Sequence, residues 1–136
     1  DALPILSPSA PRSKERLDAI FRGVRVPVLH LTGTRDESPI GLTRAAERRT
    51  AFDHIAGVEQ YLVVLRDGDH MTFADLKRGA TAARGRQAVF HPLILAVTTA
   101  FWDAYLRANA GSRHWLDAEL PAALAEEAIV ERKTGS

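Results

Sequence analysis

Two stretches of the chain are almost continuously apolar, and each runs directly into charged residues. They span residues 26–32 and 60–65. Uninterrupted apolar runs of this length are typical of parallel strands that helices cover on both faces. Because the chemistry of an open parallel sheet lies beyond the carboxyl ends of its strands, Asp36 and His70 occupy positions where a functional site would lie.

Apolar residues at helical spacing predict the elements around these strands. A helix is expected over residues 14–21 with Ser13 as its N-cap, and residues 42–55 have the one-sided pattern of an irregular or partly helical crossover. Pro92 begins the strongest helical pattern of the chain. This alternation of strands and helices predicts an α/β fold with a parallel sheet and right-handed crossovers.

The remaining segments are less regular. Residues 2–6 predict a brief strand, and Pro4 indicates that it is an edge strand or has a distorted end. Residues 77–87 are basic and small, which favours a mobile surface loop over a phosphate or nucleic-acid patch. Residues 115–132 show a second helical pattern, and the tail over residues 133–136 is expected to be disordered.

Composition excludes several classes of function. The chain has 136 residues, of which 46% are hydrophobic and 26% charged, as expected for a soluble globular domain. The absence of cysteine excludes disulfides, thiolate catalysis and thiolate metal sites. The net charge of +1 is spread along the chain and gives no support to a nucleic-acid partner. Neither a membrane span nor a targeting segment is expected, and the compartment stays open.

The first residues suggest that the chain is a part of something larger. It begins with Asp1 rather than Met and becomes apolar within a few residues. A fragment, a processed product or one piece of a longer protein would have this beginning. The expected organisation is one domain over residues 1–110, followed by a helical extension and tail over residues 111–136.

Asp36 and His70 point to chemistry as a pair rather than singly. Alone, Asp36 is an ordinary turn residue after a strand, and His70 is an ordinary loop histidine. Together they would emerge at the same edge of one sheet, because a crossover separates the two strands that precede them. An imidazole that removes a proton from a nucleophile, with a carboxylate that fixes its tautomer, forms the base and acid of a catalytic triad.

Three segments resemble α/β hydrolases, in the family's order. Residues 27–36, Pro-Val-Leu-His-Leu-Thr-Gly-Thr-Arg-Asp, resemble the acid loop, and residues 68–73, Gly-Asp-His-Met-Thr-Phe, resemble the histidine loop. The helix that contains residues 100–106 resembles the last helix of the dienelactone hydrolase-like and acetylhydrolase-like esterases. The resemblance covers about residues 1–110.

The resemblance implies a serine hydrolase that acts on a small carboxylic ester without a metal or an organic cofactor. It assigns Asp36 as the triad acid and His70 as the triad base. It also implies that Met71 and Phe73 lie near a substrate pocket.

The nucleophile of such an enzyme is missing from the sequence. No Gly-x-Ser-x-Gly elbow occurs in the 136 residues, and none of the serines has that context. The chain therefore resembles the C-terminal half of a doubly wound, mostly parallel α/β hydrolase sheet. Its expected partner is the N-terminal half that carries the nucleophile, as a second chain or a missing segment. Three strands alone would leave a bare edge and an uncovered apolar surface.

Three alternatives stay open. An aspartate nucleophile in the missing half would suit a dehalogenase or an epoxide hydrolase, and a cysteine would suit a dienelactone hydrolase. A non-catalytic domain would use the sheet as a binding scaffold. A metal site at Asp67, Asp69 and His70 is disfavoured, because the spacing lacks the carboxylates of a calcium loop and a second histidine.

The other histidines are expected to have structural roles. His30 lies within an apolar strand and is expected to bond to the backbone. His54 is expected to make a structural hydrogen bond, and His91 to cap the final helix.

Overall fold

The computed structural model describes residues 13–38, 43–73 and 81–135, and only the backbone of residues 81–87. The helices are α1 (Lys14–Phe21), α2 (Thr50–His54), α3 (Thr81–Leu106), α4 (Ala110–His114) and α5 (Leu120–Ala123). The strands are β1 (Val28–Arg35), β2 (Gln60–Asp69) and β3 (Ala128–Lys133). Short 3-10 turns cover Ala45–Arg49 and His70–Phe73, and a π-helical turn covers Trp115–Glu119.

The strands form one mixed sheet in the order β1-β2-β3. β1 pairs with β2 in parallel, with Val28 opposite Gln60, and β3 pairs with β2 antiparallel, with Lys133 opposite Gln60. The predicted α/β class and the parallel pairing of the two apolar strands are present. The strand predicted over residues 2–6 lies outside the described residues. The larger, doubly wound and mostly parallel sheet stays a prediction.

The central strand β2 is covered on both faces, which explains its unbroken apolar sequence. Tyr61, Leu62 and Val63 follow one another and are each at most 1% exposed. Tyr61 and Val63 belong to the core formed with α3 and the C-terminal helices. On the other face of the sheet, the ring of Phe52 in α2 meets the ring of His30 edge to face, with 5.7 Å between the centroids. Burial on both faces is the arrangement expected of parallel strands.

The C-terminal region differs from the helical pattern predicted over residues 115–132. Its first part is helical, but Ala128–Lys133 is strand β3. The prediction of a disordered tail is wrong for Lys133, whose ammonium donates to the carbonyl oxygens of Phe52 and Asp53, the latter at 3.0 Å. Residues 128–133 form a strand because they pair with β2, which is distant in sequence. The spacing of apolar residues along the chain cannot predict such a contact.

Helix α3 is longer than predicted. It begins at Thr81, so the prediction of a loop over residues 77–87 is wrong for residues 81–87. Pro92 lies inside the helix rather than in its first turn, and His91 therefore does not cap it. Proline lacks the amide hydrogen that an interior position normally donates, which is why the local rule predicts a helix start at this residue.

One face of α3 is buried and another is exposed and apolar. The core residues of its described part are Phe90, Val97, Phe101 and Ala104. The exposed apolar residues include Leu95, Trp102 and Leu106. The segment Ala88–Leu106 is long and apolar enough to cross a membrane by length and composition, with a mean hydropathy of 1.3, and 22% of it is buried within the protein. This is weak evidence for a span, because core helices of soluble proteins pass the same test.

A polar cluster ties the C-terminal region to β2 and α3. The hydroxyl of Tyr105 donates to Glu59 at 3.0 Å, and the hydroxyl of Tyr61 donates to Asp117. Arg113 donates from Nε to Asp117 at 2.9 Å and from Nη2 to Glu59. Burial raises the pKa of the Tyr61 hydroxyl, so this group stays protonated and remains a donor. The cluster lies near the beginning of β2, at the end opposite to Asp36 and His70.

Candidate active site

The carboxyl ends of β1 and β2 approach each other closely at two glycines. A β-carbon on Gly33 would stand 2.1 Å from the carbonyl oxygen of Gly68, so this approach requires glycine. The register of the two strands shifts just beyond Gly33, and Asp67 has a left-handed backbone with φ of 60°. Irregularities of this kind redirect side chains near functional sites. Here they precede Asp36 and His70.

Asp36 is the first residue after β1, and it is only 6% exposed. The hydroxyl of Thr32 donates to its Oδ2 at 2.9 Å. Its amide donates to the carbonyl of Gly33 at 3.1 Å, which forms a tight turn. A buried carboxylate requires donors, because an unpaired charge in the interior is costly. The turn and Thr32 together orient Oδ1 toward the end of β2.

His70 is the first residue after β2, and Asp69 organises the turn that presents it. The amide of Asp69 donates to Thr72 Oγ1 at 2.9 Å. In return, Oδ1 of Asp69 accepts from the Met71 amide at 2.9 Å and from the Thr72 hydroxyl at 3.0 Å. Asp and Thr side chains commonly stabilise turns through such bonds to nearby backbone. The backbone conformation of the turn at His70 is therefore defined by its neighbours in sequence.

The two side chains meet at this edge of the sheet, as expected from their positions after parallel strands. Nδ1 of His70 lies 3.0 Å from Oδ1 of Asp36. A carboxylate oxygen at this distance accepts a hydrogen bond, so the neutral ring has its proton on Nδ1 and its lone pair on Nε2. The side chain of His70 is 46% exposed. The structure thus presents an oriented imidazole base that is open to solvent.

Arg48 is a third member of the site that sequence reasoning missed. Its Nε donates to the carbonyl oxygen of Asp36 at 3.0 Å, and its Nη2 lies 3.4 Å from the carboxylate Oδ1. The same Nη2 is 3.4 Å from Nδ1 of His70. Nδ1 of His70 is closer to Oδ1 of Asp36, at 3.0 Å, than to Arg48, so the carboxylate decides the imidazole tautomer. Arg44, Arg48 and Arg49 lie close together in sequence, and nothing local distinguishes the one that reaches the site.

Met71 and Phe73 follow His70 in the same 3-10 turn. Each is 38% exposed, while Thr72 between them is buried. The turn therefore presents two apolar side chains at the surface next to the imidazole. Their predicted contact with a substrate remains a prediction.

The residues of the disfavoured metal site have other partners. Asp67 pairs with Arg35 at 3.0 Å, Asp69 bonds within its own turn, and His70 faces Asp36. Within residues 13–38, 43–73 and 81–135, no group of three or more His, Cys, Asp or Glu side chains is arranged to bind a metal ion.

Two other histidines have structural contacts. Nδ1 of His54 lies 2.6 Å from Asp18, so the structural hydrogen bond predicted for it is present. His30 does not bond to the backbone as predicted, since its Nε2 lies 3.1 Å from Oε1 of Gln60. The Gln60 amide nitrogen donates to the carbonyl of Ile55 at 2.9 Å, which leaves Oε1 to accept from His30. Neither histidine contacts the Asp36–His70 pair.

Among the described residues, no nucleophile is found within the hydrogen-bond partners of His70. In the part of the chain that the structure describes, no hydrogen bond joins its Nε2 to a serine. Comparison of the chain with protein-family models, with curated proteins and with solved structures found no match. The proposed function therefore rests on the residues of the site and their geometry.

Proposed function

We propose that this chain supplies the acid and the histidine of an α/β hydrolase that cleaves carboxylic esters. The observation that carries the proposal is the 3.0 Å contact between Asp36 and His70, directly beyond two adjacent parallel strands. The family resemblance of the two loops supports it. In this proposal the sheet is the C-terminal part of a doubly wound, mostly parallel sheet, and α3 is its last long helix.

The proposed mechanism places the nucleophile in another polypeptide or segment. A serine hydroxyl attacks the ester carbonyl and transfers its proton to Nε2 of His70. The carboxylate of Asp36 stabilises the imidazolium that forms. His70 then protonates the departing alcohol, and a water molecule activated in the same way hydrolyses the acyl-enzyme. The mechanism requires neither a metal nor an organic cofactor. Met71 and Phe73 would contact the apolar part of a small ester.

The partner is the N-terminal half of the hydrolase, with the serine elbow and the oxyanion hole. Within the described residues, β1 is an edge strand, because β2 lies on one side of it and no strand lies on the other. Its exposed edge can accept a further parallel strand. A partner at that edge would lie next to Asp36, where the triad requires the nucleophile.

A structural role is the rival candidate, and one observation favours it. Asp36 accepts from Thr32 and pairs with Arg48, so its charge is satisfied without any catalytic role. The domain would then be a binding scaffold with a structural Asp–His pair. A different nucleophile, aspartate or cysteine, is the catalytic alternative.

Fluorophosphonate labelling separates these readings, because the reagent reacts only with activated serines. Every polypeptide that accompanies the chain is analysed by intact-mass spectrometry after labelling. We expect a tag on the partner. We expect His70→Ala to lower ester turnover by about 10²–10⁴-fold while the circular dichroism spectrum is unchanged.

His114→Ala is the matched control, since the His114 side chain is 70% exposed and lies outside the site. Retained labelling in His70→Ala would contradict the proposal. Loss of folding in that variant would favour the structural reading. Turnover that depends on His70 without a serine tag would favour an aspartate or cysteine nucleophile.

A further inference from the structure

We infer that Arg48 is a positioning residue of this site, which orients the Asp36–His70 pair from the crossover between β1 and β2. The inference rests on the proposed function for its catalytic consequence. Its structural prediction is that removal of the Arg48 guanidinium changes the orientation of the His70 imidazole.

The contacts of Arg48 reach both the backbone and the side chain of Asp36. Nε donates to the carbonyl oxygen at 3.0 Å, and Nη2 lies 3.4 Å from Oδ1. Arginine can make both contacts because its donors lie in one rigid plane. The main-chain contact determines where the residue after β1 lies. The carboxylate contact acts together with the turn and Thr32 to direct Oδ1.

Oδ1 is also the oxygen that accepts from His70, so Arg48 and His70 share one acceptor. Thr32 occupies the other oxygen. A change in the direction of Oδ1 must therefore change the hydrogen bond that determines the imidazole tautomer. The Nη2 of Arg48 lies 3.4 Å from both Oδ1 of Asp36 and Nδ1 of His70. Arg48 acts on His70 through Asp36, because an Nδ1 that carries the ring proton cannot accept from the guanidinium.

Burial distinguishes this pair from the surface ion pairs of the chain. The side chains of Arg48 and Asp36 are 27% and 9% exposed, whereas those of Lys14 and Asp18 are 78% and 41% exposed. Exposed pairs contribute little, because water screens them. Asp36 is the buried member of the pair, and a buried carboxylate that loses its cation must find a new arrangement. Asp36 is expected to rearrange when Arg48 is replaced.

The test compares Arg48→Gln and Arg48→Lys with Arg49→Gln. Arg49 is the matched control, because it is the next residue and pairs with Asp53 and Glu131 rather than with the site. The chain is labelled with ¹⁵N at histidine and is co-expressed with the nucleophile-bearing polypeptide if it does not fold alone. The His70 signals are assigned by their loss in His70→Ala.

In the unmodified chain, we expect one His70 tautomer with the proton on Nδ1. Arg48→Gln is expected to shift the ring nitrogen signals toward a mixture of tautomers. Arg48→Lys is expected to give a smaller shift, because an ammonium cannot make both contacts in one plane. Arg49→Gln should leave the signals unchanged. Identical His70 signals in Arg48→Gln and the unmodified chain would overturn the inference.

The effect of Arg48 on catalysis is measured separately, as the rate of ester cleavage. Arg48→Gln is expected to lower kcat by about 10- to 100-fold with KM unchanged, because misplacement of a catalytic group weakens the transition state without removing a substrate contact. Arg48→Lys should recover part of this loss. If no variant and no unmodified protein cleaves esters, the proposed function fails, and the His70 signals still decide the role of Arg48. Turnover by Arg48→Gln equal to that of Arg49→Gln would overturn the catalytic part.

Discussion

His30 lies within β1 and His70 directly follows β2, and the surroundings of the two imidazoles favour different roles. His30 lies within β1, is partly buried and bonds to Gln60. His70 lies beyond the end of β2, where the imidazole is open to solvent and paired with a carboxylate. At the scale of single residues, position relative to the strand end separates a structural histidine from a candidate base.

His30 predicts a pH dependence of stability. Burial lowers its pKa below the ordinary value of 6.5, and the bond to Gln60 opposes this effect only in part. Between the lowered pKa and 6.5 the unfolded chain binds more protons than the folded one at this residue. The contribution of His30 to the free energy of unfolding therefore falls as the pH drops below 6.5 and is constant above it.

Urea unfolding on both sides of that pH, in the unmodified protein and in His30→Gln, measures this contribution. The variant should have a flatter pH dependence over the window. Parallel curves for the two proteins would show that the protonation of His30 is not coupled to folding.

At the scale of elements, the close approach of β1 and β2 explains why the site forms at their ends. Gly33 and Gly68 face each other without side chains, and the strand irregularity beyond them redirects the chain. The turns that follow present Asp36 and His70. The turn at Asp36 and the turn at His70 are each ordinary in sequence, and they form a site only because β1 and β2 pair.

Gly33→Ala tests this contact. The new methyl group would overlap the Gly68 carbonyl, and overpacking of this kind costs about 1–3 kcal/mol or more. Gly23→Ala is the control, because a β-carbon there meets nothing within 4 Å and the residue follows α1 at the surface. Chemical denaturation should show a loss of stability for Gly33→Ala alone. Equal stability of the two variants would contradict the role of the close approach.

At the scale of the whole molecule, the described structure leaves apolar side chains exposed and both edges of the sheet, β1 and β3, unpaired. β1 is an edge strand of the described sheet, and Leu95, Trp102 and Leu106 are exposed on α3. Surfaces of this kind usually mark an interface. In the proposed function, the N-terminal half of the hydrolase would cover them.

The corresponding prediction concerns the chain purified alone. We expect it to aggregate or to unfold without a sharp thermal transition, and to gain one when it is co-expressed with its partner. Differential scanning calorimetry with size-exclusion chromatography measures both properties. A soluble monomer with a sharp melting transition would contradict the requirement for a partner.

Much of the fold could be predicted from local patterns because the central strands are buried on both faces. Burial of Tyr61, Leu62 and Val63 produces the unbroken apolar run that predicts β2. Ser13 accepts from the amide of Arg16 at 3.3 Å, so the predicted cap of α1 is present. The positions of Asp36 and His70 after their strands were predictable for the same reason.

Other features depend on contacts between distant residues, and no local pattern reports those. The strand β3 forms because it pairs with β2, although its sequence also fits a helical spacing. Arg48 reaches Asp36 only after the crossover packs against β1. The sequence by itself determined β1, β2, the capped first helix and the residues that follow these two strands, because these depend on neighbours along the chain. Only the tertiary structure decided the strand pairing, the imidazole tautomer and the arginine beside it, because each arises where segments far apart in sequence meet.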